Sequence, residues 1–557
     1  MQVPNPAPPD ARALARRLGM TITMADVLLR QGLGGDEAGV RRFLNPRLSD
    51  LTPPSAMADR QLAADRIVRA LRHEEPIVVY GDYDCDGMTS TAILTEGLRA
   101  MGGRVDPVLA SRFDGGYGLS EQGLKRALAG RPSLLITCDC GSADHERVAS
   151  AKASGVDVIV IDHHLVPAEP LPALAFLNPH RPECGFPYKG LASCGLALSV
   201  LAAVRAEQKT SLDLRTYLDL VAVGTIADVA PLDGDNRALV RAGLGIIASG
   251  ARPGLRALAE YGRLELGTTP NAEDVSFKLA PRLNAPGRLG SPDDALSVLL
   301  ARDLVAARSA AAACEQANLK RKEIQDRMVA EAVAEVEREG YAKQAAMVLA
   351  SDTWHLGVVG IVAGRLASTY GRPVVVAAIH EGVAHGSVRS AGGVPVVTAL
   401  GRCREALLGL GGHEKAAGVK FIPARLGEVR EAFAAAVAAL EAGAQADPQP
   451  PTVRLDPSDE PSAIVRDFAL LEPCGERNRA PSVCAVGALV VSAREVRGGH
   501  LSLDLEVEGR RMRGFGAQLG GRAGAIGRRV NVWGGLRRDG WKGGDAVEIR
   551  VDEVSPA

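Results

Sequence analysis

Three carboxylates at alternate positions, Asp82, Asp84 and Asp86, follow directly on the apolar run Ile77-Val78-Val79-Tyr80. Two further runs end in the same way. Leu134-Leu135-Ile136-Thr137 leads into Cys138-Asp139-Cys140-Gly141, and Val158-Ile159-Val160-Ile161 leads into Asp162-His163-His164. A fourth run, Leu220 to Ala227, ends at Asp228. Such acids are either a solvated surface or, if they converge, a repulsive cluster that needs cations. Carboxylate and imidazole donors without a thiolate set favour Mn²⁺ or Mg²⁺ over structural zinc. Asp82, Asp84, Asp86, Asp139, His163 and Asp228 exceed what one ion needs. Two ions about 3.5–4 Å apart, with Asp139 the candidate bridge, fit better. A pair of that kind clamps a phosphoryl oxygen and activates water for in-line attack, so the expected chemistry is phosphoester hydrolysis. Asp84, Asp139, His163 and His164 are the catalytic candidates, His164 to contact the scissile phosphate or assist the leaving group.

Convergence requires particular elements. Short β-branched runs separated by helix-length segments, such as Thr89 to Met101, predict βαβ units with parallel strands. Parallel strands end on one edge, where ligands gather in open α/β sheets. The fourth run, into Asp228, is read as one more strand end. Alternation along the strand that ends at Asp139 points Cys138 and Cys140 away from Asp139, into the core. The glycine-rich loop Arg112 to Leu119 follows a strand-like run, Val105 to Leu109, and so lies on the acids' edge, where Arg112 and Tyr117 can reach a nucleotide. Farther on, Arg282, Asn284 and Arg288 surround the turn-forming pair Pro286-Gly287; guanidiniums and an amide on one loop suit phosphate. Ser387-Val388-Arg389-Ser390 and Gly411-Gly412-His413 read as glycine-rich turns of a second α/β unit, where backbone amides approach a phosphate closely.

The chain has 557 residues, enough for three to four domains, with 46% hydrophobic and 24% charged residues. No apolar run reaches membrane-spanning length, and Met1 to Pro6 lacks a basic-then-apolar leader, which predicts a cytoplasmic protein without a membrane anchor. Nine scattered cysteines without CxxC spacing fit reduced thiols. A net charge of −1 means that any nucleic-acid affinity is local. Residues 302–339 lack Pro and Gly and predict a connecting helix with an imperfect stripe of Leu304, Leu319, Ile324, Met328 and Val336. Ala442 to Pro451 reads as a linker. Beyond it, glycine-broken alternating segments predict a small β-barrel. Residues 491–557 carry twelve Lys/Arg against nine Asp/Glu, with Phe515, Trp533 and Trp541 as stacking candidates.

The ordered set Asp82-Tyr83-Asp84-Cys85-Asp86-Gly87, Asp139-Cys140-Gly141, Asp162-His163-His164 and Gly224-Thr225-Ile226-Ala227-Asp228 resembles the four motifs of the DHH phosphoesterase superfamily. Cys85 departs from the commoner Ala. Gly411-Gly412-His413 resembles the signature of its DHHA1 substrate-binding domain. Within the superfamily, Arg282 to Gly290 and Trp354 to Ala363 resemble the RecJ family of bacterial 5′→3′ exonucleases of single-stranded DNA. That resemblance implies a helical extension (1–59) packed on a parallel-sheet catalytic domain (60–300). A connecting helix (301–340), a DHHA1 domain (341–445) and an OB-like barrel (446–557) follow. It implies two Mn²⁺ or Mg²⁺ ions, release of 5′-mononucleotides, and substrate contacts from Arg112, Tyr117, Arg282, Asn284, Arg288, Ser387, Arg389, Ser390, Gly412 and His413. It also implies a monomer that works with a single-strand-binding protein and a RecQ-type helicase. Three other readings are open. A small-substrate phosphodiesterase would not need the barrel, a manganese pyrophosphatase would be smaller still, and an inactive DNA-binding scaffold would have lost ligand acids.

Overall fold

Three of the apolar runs become strands because every step is buried, as parallel strands covered on both faces require. In the computed structural model, which describes residues 2–114, 117–441, 450–540 and 542–557, they form part of an all-parallel sheet. Its strands are β1 (Pro76–Gly81), β2 (Arg104–Leu109), β3 (Leu134–Cys138), β4 (Asp157–Ile161) and β5 (Ala175–Leu177), in the order β2-β1-β3-β4-β5. Ile77, Val79, Ile136 and Ile159 face one core, Val78, Tyr80, Leu135 and Val158 the other. Asp139 takes a left-handed backbone (φ +62°), which breaks the alternation. Cys138 and Cys140 therefore fall in opposite cores instead of sharing a face, both as buried free thiols.

Two segments read as strand or turn are helical. Leu218–Ala227 is an α-helix buried on all sides, so its hydrophobic pattern has no helical period to betray it, and Asp228 caps its C-terminus. Ala280–Leu289 is a helix despite Pro286, entered through a π-helical turn, Val275–Leu279. The packing of this segment against the catalytic core outweighs the local turn preference of Pro286-Gly287.

Leu304–Glu339 is a single helix of 36 residues, about 54 Å long. Its buried stripe is made of small residues as much as large ones: Ala307, Ala311 and Cys314 join the catalytic core, while Met328, Ala332 and Val336 pack on the next lobe. Leu319, expected in the stripe, is 56% exposed. That next lobe is a mixed sheet of β6 (Met347–Ser351), β7 (Val374–His380), β8 (Val383–Arg389), β9 (Gly409–Gly412) and β10 (Ala416–Phe421), ordered β6-β7-β8-β10-β9. Ser387 and Arg389 lie in β8, and Gly411 and Gly412 in β9, so these are strand residues where turns were expected.

Strands β11 (Thr452–Arg454), β12 (Ser482–Val496), β13 (His500–Val507), β14 (Arg510–Gly516), β15 (Arg529–Arg538) and β16 (Val547–Pro556) make the third sheet, closed into a barrel by β12 pairing with β15. Trp533 is fully buried in it and Phe515 half-buried against His500, so Trp533 is a core residue and no stacking platform. Trp541 and nearly all of the expected linker, 442–449, lie outside the described residues. No described helix is long and apolar enough to cross a membrane.

The N-terminal helices correct one expectation. Leu14, Met24, Val27, Leu28, Val40 and Leu44 share a core with the barrel, not with the catalytic lobe. Polar contacts agree: Asp459 and Asp467 accept from Thr21, Ile22 and Thr23, and Arg12 pairs with Asp456. The two chain ends thus form one module. Arg237, 2% exposed, ties it to the catalytic lobe by donating to the carbonyls of Phe43, Leu470, Leu471 and Pro473 while stacking on the Phe43 ring. Leu48, Leu51, Met57 and Ala58 pack on the catalytic core itself. Arg237→Met leaves several buried carbonyls without donors and is expected to cost about 3 kcal/mol, read as an earlier urea transition in tryptophan fluorescence.

Candidate metal centre and anion cluster

The sheet's hydrogen-bond ladder continues one rung beyond each strand. The amides of Asp82, Asp139 and Asp162 donate to the carbonyls of Cys138, Ile161 and Leu177. Three motif residues are thereby fixed by backbone before any side chain acts. Helix ends fix the rest. Asp84 caps the helix Cys85–Ala100, one carboxylate oxygen accepting from the amides of Asp86 and Gly87. Asp86 accepts from the amides of Ser193 and Cys194, at the start of the helix Ser193–Gln208. Both contacts set partial positive charge against an acid. Asp228 arrives from the C-terminus of its helix.

These groups converge. His163 Nε2 lies 3.3 Å from Asp139 Oδ1, 3.6 Å from Asp228 Oδ2 and 3.8 Å from Asp86 Oδ2. Asp82, Asp84 and Asp139 bring one oxygen each within 4.8 Å of one another, and Asp86 and Asp228 oxygens do the same with a His163 ring nitrogen. Asp139 belongs to the first set and touches the second through His163. Burial, and then the neighbouring carboxylates, push Asp139 and Asp228 well above the usual carboxylate range; Asp82 is pushed up likewise. Burial pushes His163 down, which favours the neutral ring that a metal ligand would need. Asp82 Oδ1 and His163 Nε2 are buried without any hydrogen-bond partner. Orphaned acceptors in so crowded an anionic pocket fit divalent cations, and the donor set suits Mn²⁺ or Mg²⁺.

Two residues with no role assigned from sequence complete the support. Asp162, 1% exposed, accepts from the amides of Ser142, His163 and His164 and sits 2.8 Å from His164 Nδ1. Burial opposes both charges, yet their hydrogen bond holds Asp162 well below the usual range and pushes His164 up to about 9. Ser193 donates from Oγ to Asp139 Oδ1 at 3.1 Å. Asp162 was visible as the head of its motif; nothing in the sequence marks Ser193. Tyr117 donates to the carbonyl of Asp139 and lies 2.8 Å from His164 Nδ1. His413, from the other lobe, stacks on His164 with ring centroids 5.8 Å apart.

Beside the acids lies a cluster of opposite sign. The Arg112 guanidinium sits 4.3 Å over the ring of Tyr83, between Asp82 and Asp84 in sequence. Arg288 is lowered to about 10 by burial and by the charges of Arg112, Arg321 and Arg389; burial and Arg112 also lower Arg389. None of Arg112, Arg288 and Arg389 pairs with a carboxylate among the described residues, and the buried atoms Arg112 Nε and Asn284 Oδ1 have no partner. A hypothetical Cβ on Gly360 would stand 3.2 Å from Arg389 Nη2 and 3.3 Å from Ser387 Oγ, which places Ser387 beside Arg389.

Other expected contacts lie elsewhere. Arg282 pairs with Glu315 at 2.7 Å and donates to the carbonyls of Lys278 and Tyr261. Ser390 donates to the Val394 carbonyl. Gly412 (φ +137°) serves the β9–β10 pairing, where a Cβ would stand 2.5 Å from Ala417 Cα.

Three family models match the chain: the DHH family N-terminal domain over 76–225, the DHHA1 domain over 341–439 and the RecJ OB domain over 453–553. The single-stranded-DNA-specific exonuclease RecJ of Thermus thermophilus is 36% identical over 518 residues, covering 91% of this chain and 73% of that protein. The chain belongs to the RecJ family. The RecJ of Dickeya dadantii is 39% identical over 393 residues, covering 67% of this chain and 68% of its own. The Bacillus subtilis RecJ is 38% identical over 421 residues, 75% of this chain, and the matched part spans about half (52%) of that longer relative. Among solved structures, Thermus thermophilus RecJ in complex with Mn²⁺ superposes with a TM-score of 0.84 at 31% identity, covering 99% of this chain and 79% of that one. The same RecJ has also been solved with Mg²⁺, at a TM-score of 0.76.

Asp162→Asn removes the charge that orders both histidines. It is expected to lower Mn²⁺ affinity by about 10–100-fold in calorimetry, with the far-ultraviolet circular dichroism unchanged.

Proposed function

We propose that this chain is a divalent-metal-dependent exonuclease that hydrolyses single-stranded DNA from its 5′ end and releases 5′-mononucleotides. The observation that carries the reading is the adjacency of two uncompensated clusters of opposite sign, buried acids and unpaired guanidiniums, meeting at Tyr83. A strand end presents the complementary pair. Its terminal phosphate carries a charge of about −1.5 to −2, more than an internal diester, and suits Arg112, Arg288 and Arg389. The first internal phosphodiester then falls at the acids, so a bound end is cut one nucleotide in.

When bound, two divalent cations supply charge neutralisation at the scissile phosphate and activation of the attacking water. Asp82 and Asp84 would hold one and Asp86, His163 and Asp228 the other, with Asp139, steadied by Ser193, standing between the two sets. His164 keeps its proton through Asp162 and donates to a non-bridging oxygen or to the leaving group. His413 closes over it from the second lobe, and Tyr117 fixes its ring.

Selection of single strands follows from enclosure. The end module contacts both lobes: Arg550 pairs with Glu273, the Leu232 amide donates to the Glu476 carbonyl, and Lys415 reaches the Glu476 carboxylate. A site bordered by three modules in contact with one another would admit a thread more readily than a duplex, whatever its sequence. The names of the relatives, and the match to a RecJ OB domain where a small-substrate phosphodiesterase needs no barrel, support the same reading.

The test pairs one oligonucleotide, single-stranded or annealed, with Mn²⁺ and with chelator. Mononucleotides released from the 5′ end of the single strand, and abolished by chelator, are expected. Cleavage confined to dinucleotides would move the chain to the small-substrate class, and binding without cleavage to a scaffold. Arg389→Ala is expected to raise KM on a 5′-phosphorylated strand by about 10–100-fold and to change kcat little, since it removes ground-state and transition-state binding alike.

A further inference from the structure

The segment Trp354 to Gly360, which leads from β6 into the helix Val359–Tyr370, has no part in the chemistry above, yet it touches both sides of the anion cluster. Arg112 and Arg288 stand on the catalytic lobe and Arg389 on the second, so the cluster exists only at a fixed lobe-to-lobe distance. The closest backbone approach between them is at Gly357. A Cβ on Gly357 would lie 1.8 Å from the carbonyl oxygen of Arg288, 2.8 Å from its carbon and 3.1 Å from its Cα. These are backbone atoms within a helix and cannot swing aside. The Gly357 carbonyl in turn accepts from Arg288 Nη1 at 3.3 Å. The turn itself is anchored. Trp354, 6% exposed, donates from Nε1 to Glu331 of the long helix at 2.8 Å, and the Gly357 amide donates to His355 Nδ1 at 3.1 Å.

We propose that Gly357 is a positioning residue of the anion cluster: the Trp354–Gly357 turn is the spacer that sets how far Arg389 stands from Arg288 and Arg112. The inference rests on the reading of that cluster as the terminal-phosphate site. Mutual repulsion among unpaired guanidiniums favours separation of the lobes. The backbone contact at Gly357 and the Trp354 anchor hold them at the spacing a phosphate needs, and a side chain at 357 wedges them apart.

The experiment compares 5′-phosphorylated and 5′-hydroxyl single strands of one sequence, with Mn²⁺, on the full chain and on Gly357→Ala, Trp354→Phe and Gly401→Ala. A Cβ on Gly401 would meet nothing within 4 Å, so that variant serves as the control. For Gly357→Ala, KM on the phosphorylated strand is expected to rise about 10–100-fold, as for displacements near 1 Å, and the preference for the phosphorylated strand to collapse. kcat on the hydroxyl strand stays near that of the unaltered chain. Trp354→Phe keeps an aromatic ring, loses the anchor and shifts KM the same way by a smaller factor; it stands in for Gly357→Ala should that variant not fold. Gly401→Ala behaves like the unaltered chain.

Unchanged discrimination in Gly357→Ala, or in Trp354→Phe where only that variant folds, overturns the proposal. So does an equal loss of kcat on both strands with the preference intact. A different failure, an unaltered chain that does not distinguish the two strands, removes the terminal-phosphate reading itself and is recognised without any variant.

Discussion

Carboxylates held within a few ångströms of one another, most of them away from water, repel, and much of the catalytic lobe is arranged to oppose that repulsion. Asp82 and Asp139 are each about 1% exposed. They cannot all ionise on their own, which is why burial and mutual charge push Asp139 and Asp228 so far upward. Backbone supplies partial relief: Asp84 and Asp86 each receive two amides at helix N-termini. Arg112 and His164 oppose it further at Asp82, and divalent cations would meet the remainder where Asp82 Oδ1 and His163 Nε2 are left without partners.

The anion cluster is the mirror image of that problem. Unpaired guanidiniums shielded from solvent are destabilising in the free protein, as the lowered values of Arg288 and Arg389 record. Arg282 shows the contrast on the same helix: it has Glu315 as a partner, so it stabilises the junction with the long helix and is unavailable to a ligand. Two arginines of one helix therefore differ in role because one has a carboxylate within reach and the other does not. That difference decides which arginines a phosphate can recruit.

What could be read from the chain follows the same physics. The ends of β1, β3 and β4 were legible because strands buried on both faces write unbroken β-branched runs, and a turn residue must follow each. The helix ending at Asp228 was not, since a helix buried all round has no polar face to set its period. Arg282, Asn284 and Arg288 looked like a turn because Pro286-Gly287 is a turn signal locally, while the partner that makes it a helix contact, the long helix around Glu315, lies 33 residues on. The joining of Thr23 to Asp459 across 436 residues leaves no local trace at all. The closing of barrel and N-terminal helices into one module thus lay beyond any reading by motif, whereas the acids themselves did not.

That module also explains why catalysis and enclosure are coupled. The acids all come from one lobe, His413 and Arg389 from the other, and the helix Leu304–Glu339 packs on both. A straight helix resists bending but not rotation about its ends, so by itself it leaves the lobes free to turn about one another. Contacts far from it remove that freedom. The end module is bound through Arg237 and Arg241 to the catalytic lobe and reaches the second lobe at Lys415. These contacts therefore also brace the arrangement that keeps Arg389 opposite Arg288, and under the proposed function loosening them, far from the acids, would act first on binding of a strand end and only then on chemistry.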